Sequence, residues 1–308
     1  MRFFWGRFLI WLLCAQSIFS SGCNSREKPT VETAKINLPR KSSLTLFEER
    51  LLGLVRESED LARDVSSKKA TPLEARMRLN ELKNIWAEFA AEHPDSVEAQ
   101  ILYGKFLRSA RLDESAYNVF LNVDKKNPNL AVVKQQLSTY EAEQKDFKNS
   151  YLHIKEAAAL EPDSPVYLAQ LGELLFKAGA DLEKSGALPK ENRDFEMLEA
   201  FRCASELESE SFDFLARYAQ AFYDVSSPDW NKALEAWKRA EGVAPLGFEK
   251  DEARLHIAKI SIGLGKLDEA EIALQNIKAE NYSKQRASLE TLLEKKKSEI
   301  LNSQNLSE

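Results

Sequence analysis

Pro94, Pro128 and Pro162 stand 34 residues apart, each inside a matching phrase: His93-Pro94-Asp95-Ser96, Asn127-Pro128-Asn129 and Glu161-Pro162-Asp163-Ser164. A recurrence near 34 residues is the mark of a helix–turn–helix solenoid, whose units bury their apolar faces only against their neighbours. This period constrains function as well as fold. A repeat scaffold presents surface, and its partner is specified by the detail of that surface.

Inside each period the pattern is that of two antiparallel helices. Tyr103, Leu137 and Leu171 recur at 34, followed by the small residues Gly104, Ser138 and Gly172. Ala116, Phe120 and Val123, then Ser150, Ile154 and Ala157, mark the second helices at the same offset. Helices approach closely only where small residues lie between them, with large apolar groups filling the space on either side. Proline then ends the second helix and turns the chain into the next unit. These residues resemble the motif of the tetratricopeptide repeat (TPR) family, and the resemblance covers about residues 97–284. It implies an all-α, right-handed helix–turn–helix superhelix with a capping helix at its C-terminal end.

The repeats are read as 97–130, 131–164, 165–211, 212–247 and 251–284. The third opens with Leu171-Gly172 and Leu175 and closes with Phe201 and Ala204, and about 13 extra residues separate its helices. Gly179, Gly186 and Pro189 predict a protruding loop over 180–195, docked by Leu182 and Leu188, either functional or a passive elongated turn. The fourth shows Tyr218-Ala219, Ala233, Trp237, Ala240 and Pro245. The fifth shows Ile257-Ala258 and the run Gly265-Lys266-Leu267-Asp268-Glu269-Ala270, a turn-and-helix phrase typical of the family. Ahead of them, 43–96 reads as a degenerate hairpin. Thr45 and Glu48 form one start signal, and Thr71-Pro72-Leu73-Glu74 forms a stronger one. The second of these helices is expected to bury Met77, Leu82, Ile85, Trp86 and Phe89. A last helix over 285–302 caps the array with Lys295-Lys296-Lys297 outward, and 303–308 is a disordered tail.

The N-terminus reads as a secretion signal over 1–22. Arg2 and Arg7 are followed by the apolar run Phe8-Leu9-Ile10-Trp11-Leu12-Leu13 and by Ser20-Ser21-Gly22 before Cys23. That run is shorter than the roughly 20 residues a membrane-spanning helix needs. The ending resembles the lipobox of bacterial lipoproteins, with Ser20 where that family usually has Leu. It implies lipidation of Cys23; the alternative is a plain secretory signal cleaved nearby. Asn24, in place of an Asp, resembles the outer-membrane sorting pattern. Residues 23–42, with Pro29, Pro39 and little to bury, read as a disordered tether reaching about 25 Å. Together these imply a lipid-anchored protein of a bacterial envelope, on the outer membrane facing the periplasm.

No chemistry is proposed by the remaining motifs. The three histidines, His93, His153 and His256, fall in separate units without metal-ligand spacing. No glycine-rich phosphate loop and no Gly-x-Ser-x-Gly elbow is present. Net charge is −6, or −8 once Arg2 and Arg7 leave with the signal, and no basic patch dominates, which argues against nucleic acid. Cys14 would leave with the leader and Cys23 would be acylated, so Cys203 has no disulfide partner and is read as packing on an inner helix face. No catalytic residue, metal or cofactor is expected.

In the TPR family the first helix of each repeat lines a concave, ligand-carrying face. Carried over, that face holds Lys105, Arg108, Gln135, Thr139, Glu173, Phe176, Arg217, Gln220, Tyr223 and Lys259. Phe176 and Tyr223 are either exposed for a ligand or packed between repeats. The mixture departs from the Lys, Asn and Arg run with which chaperone-binding relatives clamp a C-terminal carboxylate. The resemblance implies a non-catalytic adaptor for an envelope protein or peptide, in settings such as outer-membrane protein assembly, pilus biogenesis or control of envelope proteases and cell-wall enzymes. The alternatives are a polysaccharide-export or glycan-handling accessory factor, which stacked exposed aromatics would favour, and an enzyme, which a clustered acid–base pair would favour.

Overall fold

The computed structural model describes residues 45–245 and 247–305 of the 308-residue chain. The chain divides at 45/46, and the unit beginning at Leu46 is the one described below. The leader, Cys23, the tether over 23–42 and the final residues 306–308 lie outside the described residues.

All regular structure among these residues is helical, arranged as hairpins in chain order. The first pairs α1 (Leu46–Ser66) with α2 (Pro72–Glu92), the second α3 (Val97–Ser109) with α4 (Asp113–Lys126), and the third α5 (Ala131–Glu143) with α6 (Phe147–Leu160). The fourth pairs α7 (Pro165–Lys184) with α8 (Lys190–Leu207), the fifth α9 (Phe212–Ala221) with α10 (Trp230–Val243), and the sixth α11 (Phe248–Gly263) with α12 (Leu267–Gln275). A short 3-10 turn (Glu280–Tyr282) leads into α13 (Ser283–Asn305), the longest helix. Each helix packs on the next along the chain, which is the connectivity of an all-α solenoid.

Local sequence explains the ends. At α2 the Thr71 hydroxyl accepts from Glu74 N–H at 3.3 Å while Glu74 Oε2 accepts from Thr71 N–H at 2.9 Å, a complete capping box with Pro72 in the first turn. Ser96, Asp146 and Asp229 accept from the first-turn amides of α3, α6 and α10. The turns inside the hairpins repeat one device. Lys68, Arg111, Lys145, Gly186 and Gly265 have φ of 57°, 61°, 65°, 68° and 74°. The amide after each reaches back five residues, as in Leu112 N to Leu107 O at 2.9 Å, Asp146 N to Glu141 O at 2.8 Å and Lys266 N to Ser261 O at 2.8 Å. This is the left-handed C-terminal cap, which satisfies carbonyls the helix leaves open. The fifth hairpin departs: its long turn is pinned where Asp194 Oδ2 accepts from Ser226 N–H at 2.8 Å.

The core follows the small–large complementarity of the sequence. A methyl group placed on Gly104 would lie 2.7 Å from the Phe120 ring, and one on Gly172 would lie 2.7 Å from the Phe201 ring. In the unit between them Ser138 takes the place of the glycine and Ile154 that of the phenylalanine, and Ser138 bonds to Ser150, the counterpart of Ala116, at 3.0 Å, buried. Trp86, Phe89, Phe120, Phe201 and Trp237 are enclosed within three successive, overlapping apolar clusters. Leu289 and Leu293 seal α13 against the last of these.

Four readings are corrected. The 180–195 segment is not a loop: α7 runs to Lys184 and α8 starts at Lys190, so the extra residues lengthen both helices around a five-residue turn. Leu182 and Leu188 are buried as expected. Met77 is 63% exposed, because the apolar stripe of α2 centres on Leu82, Trp86 and Phe89. Cys203 is half-buried among charged neighbours, its Sγ 3.3 Å from the Arg202 guanidinium and 3.5 Å from Glu199. Residues 303–305 continue α13, since no Gly or Pro interrupts 285–308.

Candidate functional site

The residue after the small residue of each first helix gives a row of equivalent places along α3, α5, α7, α9 and α11: Lys105, Thr139, Glu173, Gln220 and Lys259. The other expected binding residues lie near this row, and most bond to a side chain one repeat away. Arg108 grips Glu143, 35 residues on, through two parallel bonds of 2.8 and 2.9 Å, and also donates to Asp113 at 3.0 Å. Hydrogen bonding to Glu143 holds its guanidinium pKa above the usual arginine value. Gln135, 6% exposed, donates to Gln170 Oε1 at 2.7 Å, and Gln170 donates to Thr139 Oγ1 at 3.0 Å. Gln136 donates to Gln135 Oε1 at 2.6 Å.

The next step joins α7 to α9. Arg217 donates to Glu173 at 2.5 Å, and Lys177 approaches the same carboxylate at 3.2 Å. The guanidinium lies 4.1 Å from the buried Phe201 ring and 4.9 Å from Phe176, which is 42% exposed. Asp224 stands 3.7 Å from Arg217, and burial raises its pKa. The last step joins Tyr223 to α11. The Tyr223 hydroxyl lies 3.0 Å from His256 Nδ1, Trp237 stacks on the same imidazole at 4.1 Å, and the Lys259 ammonium sits 5.0 Å over the tyrosine ring. Burial pushes His256 down to about 4 and Tyr223 up to about 12.

The structure thus brings Arg108, Gln135, Thr139, Glu173, Arg217 and Tyr223 into bonds between neighbouring repeats. Lys105, Gln220 and Lys259 make no side-chain hydrogen bond or ion pair among the described residues. Sequence reading missed Glu143, Gln170, Asp224 and His256. For the first two a signal was available: 108 to 143 and 135 to 170 are both one period plus one residue.

A second polar group lies away from this row. Glu141, 4% exposed, accepts from Tyr117 Oη at 3.1 Å and meets His153 Nδ1 at 2.7 Å. The Glu141 bond raises the His153 pKa, while burial raises Tyr117 to about 12. Lys134 is held between Asp124 at 3.0 Å and Glu156 at 2.8 Å. These groups bond to one another across neighbouring helices and so tie the helices together. Among the described residues no set of three His, Cys, Asp or Glu is placed to hold a metal ion. No described helix is long and apolar enough to cross a membrane. An open hollow of about 460 Å³ lies between the facing ends of α1 and α2, lined by Asp64, Lys69, Met77, Arg78 and Glu81, with Arg78 and Asp64 paired at 2.7 Å.

No protein-family model matches this chain, and no curated protein matches it in sequence. Solved structures match it in fold. The C-terminal part of a TPR repeat-containing protein from Cytophaga hutchinsonii superposes with a TM-score of 0.54 at 14% identity, covering 79% of this chain and 96% of that one. PilF of Pseudomonas aeruginosa does so at 0.51 and 12% identity, covering 80% and 98%. The Naa15/Naa10 structure bound to HypK-THB gives 0.54 and 13% identity, covering 85% of this chain and 35% of that one. At such identities the likeness is one of architecture: this chain has a TPR-like, all-helical repeat fold.

Proposed function

We propose that this protein is a non-catalytic adaptor that holds a partner protein or peptide along the first-helix face of its repeats. It is tethered by lipid on Cys23 to a bacterial envelope membrane, the outer membrane facing the periplasm. The carrying observation is the chain of bonds between repeats. Arg108–Glu143, Gln135–Gln170, Glu173–Arg217 and Tyr223–His256 tie each first helix, or the turn that closes it, to the next first helix. A face fixed in this way is ordered before a ligand arrives, which lowers the entropic cost of binding. The tether reading rests on the leader and on the small-residue sequence before Cys23.

A photo-crosslinking residue placed at Phe176 or Gln220 is expected to capture one stoichiometric protein in cells. The same residue at Leu152, exposed on the second helix α6, should not. Equal capture from Leu152, or none from either first-helix position, overturns the reading of the face. Metabolic labelling with an alkyne fatty acid tests the anchor separately. Label on the native chain should vanish in Cys23→Ser, and an unlabelled native chain removes the tether.

A further inference from the structure

The face just described, on which this inference rests, has already used most of its polar groups. The carboxylates bonded along the row each have a basic neighbour: Glu143 on Arg108, Glu173 on Arg217 and Lys177, Asp224 beside Arg217. The Gln135, Gln136, Gln170 and Thr139 side chains bond to one another. What remains open is Lys105 at one end of the row, Lys259 at the other, the Gln220 amide between them, and the exposed ring of Phe176.

Among the described residues neither lysine has a carboxylate within ion-pair distance. Lys259 rests over the Tyr223 ring, and surrounding protein lowers the pKa of Lys105. Each is an exposed ammonium lacking a counter-ion. The free charge of the row is therefore positive, on a chain whose net charge is −6. Asp213 and Glu252 lie on the same helices as Gln220 and Lys259, but seven residues earlier, about 10 Å back along the axis. There burial, and after it the charges of Glu249 and Asp213, raise the pKa of Glu252, so these acids flank the row without neutralising it.

We propose that the partner held on this face is an extended peptide segment with acidic side chains on both sides of an apolar one. The acids pair with Lys105 and Lys259, and the apolar group covers Phe176. Neighbouring first helices are about 10 Å apart. Phe176 is two such steps from either lysine, about 20 Å, which an extended strand crosses in about six residues. The recognised segment is then about 12 residues long, apolar at its centre and acidic at both ends.

The test is a random 16-residue peptide display library panned on the purified full-length chain. Enriched peptides are then measured by fluorescence anisotropy against wild type, Lys105→Glu, Lys259→Glu, Phe176→Ala and the second-helix control Leu152→Ala. All four substituted residues are exposed, and far-UV circular dichroism checks that each variant stays folded. The expected pool is enriched in Asp and Glu. Each charge reversal should weaken binding at least tenfold, Phe176→Ala about fivefold, Leu152→Ala not at all, and added salt should weaken binding of the wild type. Peptides that need Phe176 but are neutral or basic, with binding unchanged by the charge reversals, overturn the acidic partner and leave the face standing. Peptides indifferent to every first-helix substitution, or no enriched peptide, overturn the face and the proposal with it.

Discussion

Gly172→Ala gives the sharpest test of how these hairpins are built. In an exposed helix interior, Gly→Ala is favourable by about 1 kcal/mol. At Gly172 the new methyl would meet three ring atoms of Phe201 at 2.7, 2.7 and 2.9 Å, well inside ordinary contact. Phe201 is 2% exposed and has the Arg217 guanidinium 4.1 Å from its ring, so it has little room to retreat. Overpacking of this kind costs about 1–3 kcal/mol. The two effects together predict a net change between about zero and a loss of about 2 kcal/mol. Gly53 and Gly242 are also helical, but a methyl there meets nothing within 4 Å, so alanine should stabilise at both. In a Phe201→Leu background the clash disappears and Gly172→Ala should become favourable by up to about 1 kcal/mol. The coupling between the two sites is then about 1–3 kcal/mol, the overpacking cost itself, within the range that contacting residues show. Urea titrations followed by far-UV circular dichroism on the four members of the cycle, with Gly53→Ala and Gly242→Ala as controls, measure it. If Gly172→Ala stabilises the native chain as the controls do, or if the coupling falls below about 0.5 kcal/mol, the close-approach argument is refuted.

Other outcomes follow from the same contacts. Arg111 and Lys145 occupy left-handed turn positions where Gly265 serves the last hairpin, so Arg111→Gly and Lys145→Gly should each raise the thermal midpoint by relieving up to about 1 kcal/mol, and Gly265→Ala should lower it. His256 is held down to about 4, so the folded state binds its proton less readily than the unfolded chain does; its contribution is complete above about pH 6.5 and is lost as pH falls through 4, about 3 kcal/mol in all. Unfolding of His256→Phe should accordingly show a shallower loss of stability between pH 7 and 4 than the native chain. His153 has the opposite sign: Glu141 raises its pKa, so the stabilisation is complete below about pH 6.5 and disappears as pH rises through the raised folded value. His153→Gln should remove that alkaline decline, and an unchanged pH profile would refute the assignment.

The sequence carried the architecture because the architecture is periodic. Gly104 with Phe120 and Gly172 with Phe201 satisfy one packing requirement repeatedly, and the repetition makes each weak signal legible. The inserted segment was misread because its helix-breaking residues serve packing and capping. Gly179 lies inside α7, where the Arg193 side chain crosses within 2.4 Å of where its methyl would stand. Pro189 is the cap of α8, a place its fixed φ suits. Met77 fits the helical period of α2, but a period does not show which turns of a helix its neighbours reach. The repeat pattern assigned ten residues to the first-helix face, whereas it did not reveal the bonds they make. Whether Arg108 is free or held depends on Glu143, a residue remote in sequence whose relevance appears only once the repeat places the two helices side by side.

That dependence bears on what the first-helix face can recognise. In a solenoid, stability is approximately a sum of units and nearest-neighbour terms. The bonds Arg108–Glu143, Gln135–Gln170, Glu173–Arg217 and Tyr223–His256 are nearest-neighbour terms located on the proposed recognition face itself. A ligand group that captured Arg108 or Arg217 would have to displace a carboxylate already in place, exchanging one charge-assisted bond for another with little net gain. Groups without an internal partner gain the whole of a new contact. Residues that look most like ligand binders by type, the two arginines, are therefore predominantly structural. On the proposed face the lysines, Gln220 and the half-exposed Phe176 ring are left to discriminate among partners. Substituting Arg217 would weaken binding by loosening α7 against α9, an effect visible in unfolding with no partner present, whereas Lys259→Glu should change binding and leave unfolding unaltered.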